Sequence, residues 1–305
     1  MFVSPVSDPH LNMGLEAYFL DRFEGEGCLV YRNVSSVVIG KNQNPYREVD
    51  VRLCKENNIP VLRRISGGGA VYHDLGNINT AFFGKRLGMG DDLYTRWTEP
   101  PIRFLESLGI NAVRDGRNGL EVAGRKISGS AQALKKERFL HHATMLVSSD
   151  LGLLEGSLSP QEVLIDGQGV KSHRSPVANL GEILPRQLTA EDFMDNWVRF
   201  LCESMDEAKR SNISNAAGEY AQRQIEKQFG NWSWNIGRCP RFKYRLPIEG
   251  NTLVLVVYRG VIESMSWDSD SNELPSFLEG KAFSLEALME TDLKLLCSNL
   301  ENLLF

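Results

Sequence analysis

Two stretches of this chain gather residue types that handle anions. The first runs Arg63-Arg64-Ile65-Ser66-Gly67-Gly68-Gly69-Ala70-Val71-Tyr72-His73-Asp74 and continues through Leu75-Gly76-Asn77-Ile78-Asn79. Consecutive glycines cost backbone entropy, so a chain that keeps them has use for a bare backbone that something approaches closely. Backbone N–H groups freed in such a turn form a concave nest for an anion. The Arg64 fork beside them matches phosphate or carboxylate geometry. A hairpin turn with incidental charges gives the same pattern. The second stretch is Arg117-Asn118-Gly119-Leu120-Glu121-Val122-Ala123-Gly124-Arg125-Lys126-Ile127-Ser128-Gly129-Ser130-Ala131. Read as a strand, it points Ile127 one way and Lys126 with Ser128 the other. Small residues at 129–131 leave room beside the lysine. Lys126 is then a point charge aimed at a ligand, or else a solvated strand lysine. His141 and His142 follow. Strand neighbours face opposite ways, so at most one of them sees the same cavity and a metal pair is not expected.

The elements that must position these residues follow from spacing and punctuation. Ser7-Asp8-Pro9 starts a helix, with Asp8 as cap and Pro9 in the first turn; Leu11, Leu15, Tyr18 and Phe19 form its inner face. Leu29–Tyr31 and Ser36–Gly40 are short strands around a turn at Arg32-Asn33. Cys54–Asn58 is helical, Val61–Arg64 is a strand entering the glycine loop, and Thr80–Phe83 is another strand. A helix from Asp91 to Leu108 should break or restart at Pro100-Pro101. Segments 120–122, 125–128 and 139–147 form a meander with turns at Ala123-Gly124 and Lys135-Lys136-Glu137. A helix runs from Thr189 to about Ala208, Ser211–Ala217 is a polar linker, and Gly218–Phe229 is helical. Three strands at 242–246, 253–258 and 261–264 follow, the last two joined by Arg259-Gly260, and helices close the chain near Leu285 and over Asp292–Leu304. Strands come as hairpins and meanders, not β-α-β units. The expectation is an α+β fold with a mixed, largely antiparallel sheet.

A chain of 305 residues is long for one core, and the linker divides it into domains at 1–210 and 218–305. A net charge of −5 gives no excess of cations for gripping nucleic acid. No apolar run nears the ~20 residues that span a bilayer, so neither nucleic acid nor membrane is an expected partner. Five cysteines (Cys28, Cys54, Cys202, Cys239 and Cys297) are scattered without paired spacing, which fits neither a disulfide framework nor a zinc site. That usage, and first residues without a signal or transit pattern, lead to a reduced, cytoplasmic setting as the expectation.

The run RRISGGGAVYHDLGNIN, followed by GRKISGSA and HHATML, resembles the lipoate–protein ligase A family. Asn12 with Glu16, the stretch Ile39-Gly40-Lys41-Asn42-Gln43-Asn44-Pro45, and Trp232–Phe242 as the start of an accessory domain extend the likeness. The resemblance implies the catalytic domain shared by biotin and lipoate ligases, followed by a small C-terminal α/β accessory domain. It implies ATP-dependent activation of lipoate or octanoate to the acyl-adenylate. Transfer then goes to a specific lysine of apo lipoyl domains, carried by 2-oxoacid dehydrogenase subunits or the glycine-cleavage carrier protein. Lys126 is implied as the catalytic residue, touching both the acyl carboxylate and the α-phosphate. Arg64, Gly69, Ala70, Val71 and Tyr72 would hold ATP with it. Ser66, His73, Ala131 and His142 would line the lipoate side, again with Lys126, while Asp74 and Asn79 fix the loop. ATP and Mg²⁺ are implied as co-substrate and ion, with no metal ligands named and no tightly bound prosthetic group.

Several positions depart from that family's pattern. Gly119 stands where an Asp is usual, which removes a carboxylate from the nucleotide site. Gln168 replaces a common Lys, with Lys171 further on, and Pro176 stands where an Arg is frequent. The changes at Gln168 and Pro176 lean towards the related lipoyltransferases, so the alternative is a lipoyl or octanoyl amidotransferase using a pre-activated or carrier-bound acyl group. No cysteine lies between Cys54 and Cys202, so neither motif supplies the nucleophile of a thioester route. A binding module without turnover is a third reading, against which the retained Lys126, Arg64 and glycine loop speak.

Overall fold

The computed structural model describes residues 1–86, 88, 92–159, 164–204, 210–248, 251–268 and 279–283. The helices expected near Leu285 and over Asp292–Leu304 lie outside the described residues, as do Asp91 and Ala208. After β1 (Phe2–Val3), helix α1 (Pro9–Asp21) begins where the sequence predicts: the Asp8 carboxylate accepts the Leu11 N–H. Its buried surface is wider than the predicted face. Asn12 and Glu16 are enclosed together with Leu15 and Phe19, because α1 is covered on both sides.

Strands β2 (Gly27–Tyr31) and β3 (Ser36–Ile39) are not partners across the Arg32-Asn33 turn. β2 pairs with β1 and β6, whereas β3 pairs with β4 and β5. The turn instead carries the chain between two sheets, with the buried Asn33 side chain bonded to Asn12 and His73. Two short helices, α2 (Pro45–Glu48) and α3 (Val51–Glu56), lead to β4 (Val61–Arg63), β5 (Val71–His73) and β6 (Asn77–Lys85). β4 lies parallel to β3 on one side and β5 antiparallel to it on the other. The glycine loop between β4 and β5 therefore passes over the end of β3, which rules out a hairpin turn.

Helix α4 (Leu93–Ser107) runs through Pro100 and Pro101 without restarting. Each proline removes one helical hydrogen bond and costs about 3 kcal/mol. Burial of Leu93, Trp97, Phe104 and Leu105 in the main core holds the helix regardless. The meander is as predicted: β7 (Val113–Arg114), β8 (Gly119–Val122), β9 (Arg125–Lys135) and β10 (Arg138–Leu146) pair antiparallel in succession. Ala123 and Gly124 turn with φ of 50° and 75°, and Lys136 with φ of 53°. Helix α5 (Leu151–Ser157) and strand β11 (Leu164–Gly167) follow, then α6 (Ala190–Ser204), α7 (Asn215–Gln224), α8 (Trp232–Asn235), β12 (Phe242–Ile248), β13 (Asn251–Tyr258) and β14 (Val261–Trp267).

Three sheets result, of order β1-β2-β6-β10-β9-β8-β7, β4-β3-β5 and β11-β12-β13-β14. They are mixed and largely antiparallel, as expected of an α+β fold. Alternation along β6 sends Phe82 to a core shared with Trp97, Phe193 and Trp197, and Phe83 to one shared with Phe19 and Ala221. The first core is covered by α4 and α6, the second by α1 and α7. α7 begins inside the stretch predicted as linker, with Ser214 as its cap, and Ser211 N–H donates to Met1 O. Tyr46 packs among Phe242 and Phe283 of the C-terminal part, and its hydroxyl donates to Phe283 O at 2.7 Å.

Close approach of α1 and α7 depends on Gly14, where a Cβ would stand 2.8 Å from the Ala221 backbone. Ala is normally the better helix residue by about 1 kcal/mol. Here we expect Gly14→Ala to destabilise instead, by roughly 1–3 kcal/mol through overpacking. Thermal unfolding followed by circular dichroism checks the sign.

Candidate active site

The predicted site residues converge on one cavity of about 690 Å³. Its walls are the glycine loop with β5, the β9–β10 pair, and a covering segment at 170–177. Lys126 lines it, and so do Arg64, Gly69, Ala70, Val71 and Tyr72. On the other predicted set, His73, Ala131 and His142 line it as well, while Ser66 does not and touches it through a hydrogen bond to His142. Asp74 serves the loop, accepting the N–H groups of Gly76 and Asp150.

Arg64 shapes the glycine loop from within. Its guanidinium donates to the carbonyls of Val38, Gly67 and Gly69 and to Ser66 Oγ, at 2.6 to 3.1 Å. A trans peptide whose carbonyl faces Arg64 turns its N–H the opposite way. The Ala70 N–H accordingly points to Ser172 Oγ of the covering segment, at 2.9 Å. The same hydroxyl accepts from Gln43, and the Ser172 N–H donates to Glu48. A side-chain oxygen thus occupies the donor that an anionic ligand oxygen could take.

Two polar chains set the proton positions in the cavity wall. Ser66 Oγ accepts from Arg64 Nε and is hydrogen-bonded to His142 Nε2 at 2.7 Å. His142 Nδ1 then donates to the Glu16 carboxylate at 3.0 and 3.1 Å, which also accepts the Tyr31 hydroxyl. In the second chain Asn12 Nδ2 donates to Asn33 Oδ1, leaving Asn33 Nδ2 to donate to His73 Nδ1. The hydrogen of a neutral His73 then sits on Nε2, which is buried without a partner. Burial, with Arg64 and His142 nearby, holds the His73 pKa down at about 3. His141, as expected, takes no part in the cavity; burial lowers it also to about 3, and its Nδ1 meets Gln132.

Lys126 is fixed at both ends. Its backbone N–H donates to Pro176 O, and its carbonyl accepts the Ala178 N–H, stitching the covering segment to β9. Its ammonium reaches the Asp115 carboxylate at 2.9 Å. Gly119 brings no carboxylate here, as expected of a glycine, but Asp115, four residues earlier in the turn, places one behind Lys126. Sequence reading singled out neither Asp115 nor Ser172. Arg117, the first residue of the second stretch, lines the cavity too, as do Lys171 and Arg174 of the covering segment. Arginines and a lysine flanking the motifs were the available signal for a cavity that takes a polyanion.

Fold and site define a ligase of the lipoate-activating class. The structure superimposes on protein Ta0514 of T. acidophilum, solved with bound lipoic acid, at a TM-score of 0.66 and 25% identity, covering 77% of this chain and 98% of that one. It superimposes equally on a lipoate-protein ligase A bound with ATP, at a TM-score of 0.65 and 25% identity over 77% and 96% of the two chains. Residues 8–201 match the lipoyl protein ligase A/B catalytic domain, and the chain belongs to that family. It is 34% identical to Lipoate-protein ligase LplJ of Bacillus subtilis over 299 residues, 93% of this chain and 90% of the relative.

The buried histidines make stability depend on pH. Unfolded, each binds a proton below its ordinary value of 6.5, whereas His73 and His141 stay neutral in the fold down to about 3. The unfolded state therefore binds more protons, and stability present above 6.5 is lost as pH falls. Between pH 6.5 and 5, above the carboxylate range, we expect a loss of up to about 1.4 kcal/mol per pH unit for each histidine. Urea unfolding at pH 7.5 and 5.5 measures it; an unchanged midpoint contradicts the assignment.

Proposed function

We propose that this cavity carries out both halves of lipoate attachment. The chain is an ATP-dependent lipoate–protein ligase, which activates lipoate or octanoate and passes it to a lysine of an apo lipoyl domain. In the first half a carboxylate oxygen of the acid attacks the α-phosphorus of ATP. A new O–P bond forms, the bond to the bridging oxygen breaks, and pyrophosphate leaves with the electron pair. In the second half the neutral ε-amine of the acceptor lysine attacks the acyl carbonyl. A C–N bond forms, the nitrogen gives its proton to water, and AMP leaves as the C–O bond breaks.

This chemistry needs alignment and compensation of negative charge more than covalent help. The observation that carries the reading is the Lys126 ammonium, held on the cavity wall between the glycine loop and the small residues 129–131. It would contact the acyl carboxylate and the α-phosphate, and stay non-covalent. The loop from Gly69 to Tyr72, shaped by Arg64, would hold the nucleotide, with the Ala70 N–H freed when Ser172 withdraws. His73, His142 and Ala131 would flank the acyl chain, with Ser66 orienting His142. Among the described residues no group of three or more His, Cys, Asp or Glu side chains gathers to hold a metal. Mg²⁺ would therefore arrive on phosphate oxygens and water.

The lipoyl-domain acceptor could belong to a 2-oxoacid dehydrogenase subunit or to the glycine-cleavage carrier. Free thiols at Cys28, Cys54, Cys202 and Cys239 suit the reducing cytoplasm as the place of reaction. Among the described residues no helix is long and apolar enough to cross a membrane. The units at 1–210 and 218–305 would act as catalytic and accessory domains.

Mass detection of lipoylation on an apo lipoyl domain, with lipoate, Mg²⁺ and with or without ATP, tests the whole reading. Product only with ATP is expected. Product from a lipoylated carrier alone would make the protein a transferase. Lys126→Ala should lose at least about a hundredfold in rate while keeping the wild-type circular dichroism spectrum; full activity in that variant would remove Lys126 from the site.

A further inference from the structure

The turn that precedes β8 holds a carboxylate directly behind the central lysine. Asp115 Oδ1 accepts the backbone N–H groups of Arg117 and Gly119, both at 2.9 Å. Its Oδ2 accepts from Lys126 Nζ at 2.9 Å. Both side chains are largely enclosed, at 22% exposure for Lys126 and 12% for Asp115. Burial pushes the Asp115 carboxyl up, but the bonds from Lys126, Arg117 and Gly119 outweigh it and leave the group below its usual range. It is thus an anion at neutral pH.

Gly119 completes the arrangement. A Cβ there would stand 2.6 Å from Asp115 Oδ2, 2.6 Å from Lys126 Cε and 2.5 Å from Ser128 O. Its φ is not in the left-handed region, so backbone conformation does not require a glycine here. The requirement is space, for the ion pair and for the Ser128 carbonyl of β9. A free lysine side chain loses rotamer entropy when ordered. In this protein the ordering is already complete, with the backbone stitched to Pro176 and Ala178 and the ammonium tied to Asp115.

We propose that Asp115 is a positioning residue for the reaction. It takes one of the three N–H donors of Lys126 and leaves the other two for the acyl carboxylate and the α-phosphate, and Gly119 is bare because any side chain would displace that pair. This rests on the role given to Lys126 above. Asp115 does not itself line the cavity and acts through the lysine.

The test uses the full chain in ATP–pyrophosphate exchange driven by lipoate, with kcat and KM separated. Asp115→Asn retains an oxygen for the two backbone amides but turns an NH₂ towards Lys126. We expect kcat to fall roughly ten- to hundredfold, with KM for lipoate and ATP little changed and the unfolding temperature near that of the wild type. Gly119→Ala should produce the same fall in kcat. A wild-type kcat in Asp115→Asn overturns the proposal, as does a lowered KM, which would make Asp115 a mere counter-ion displaced by substrate. If Asp115→Asn does not fold, Gly119→Ala decides by whether its kcat falls. An inactive wild type sinks the ligase reading itself, whereas an active wild type with indifferent variants sinks only the role of Asp115.

Discussion

Two consecutive arginines, Arg63 and Arg64, are buried, and their hydrogen bonds go to carbonyl and hydroxyl oxygens, not to carboxylates. Desolvation lowers each to about 10, which leaves both charged at neutral pH. A buried charge costs several kcal/mol unless oxygens converge on it. Much of the local chain path is the answer to that demand. As strand neighbours they point opposite ways. Arg63 gathers the carbonyls of Gly40, Lys41, Gln43 and Trp234, and Arg64 those of Val38, Gly67 and Gly69. Two loops distant in sequence are thereby curled around adjacent cations. They come so close that a Cβ on Gly40 would sit 2.1 Å from Gly68 O. The motif around Gly40 and the glycine loop are thus two halves of one construction.

Much of this was legible in the residues themselves. Three glycines beside an arginine, and a lysine followed by small residues on one strand face, did mark the two walls of the cavity. The meander turns were readable because left-handed positions fell at Ala123-Gly124 and Lys136, where the chain has few alternatives. The strands β2 and β3 and the turn at Arg32-Asn33 were readable but their partners were not, because local propensity does not say which strand a strand pairs with; Asn33 is held there by Asn12 and His73, contacts of long sequence separation. The double proline of α4 misled in the same way, since tertiary burial of Trp97 and Phe104 outweighs a local penalty. Asp115 was invisible for a different reason. A carboxylate four residues before a glycine means nothing until the turn folds it back over that glycine. The stretch 211–217 looked like a linker by composition, yet Ala217 is buried against α1.

Depth within the cavity wall comes from α1. A helix normally offers one face to a core, but α1 is enclosed by β6 and β10 on one side and α7 on the other. Its two buried polar residues then have to be satisfied inside the protein. Asn12 serves the chain leading to His73, and Glu16 serves His142 and Tyr31. His73 and His142, the two histidines of the fixed cavity wall, are therefore oriented by one helix. Reorientation of either ring would leave a buried polar group of α1 unsatisfied, at about 1–3 kcal/mol. The wall is fixed on that side by buried side chains, while the covering segment is held by hydrogen bonds at Val170, Ser172 and Arg174 and by the stitch at Lys126.

The covering segment has different anchors at its two ends. Its first end follows β11, an edge strand of the four-stranded sheet, where Gly167 pairs with Phe242. Its second end is the bridge of Val177 with Lys126 on the seven-stranded sheet. The segment is consequently a tether between the two sheets. Nine intervening residues reach at most about 30 Å when fully extended. Slack in that tether is what lies over the cavity. The cavity cover thus hangs on both sheets at once, so the segment that closes the site is also a covalent link between the sheet carrying Lys126 and the sheet carrying Phe242.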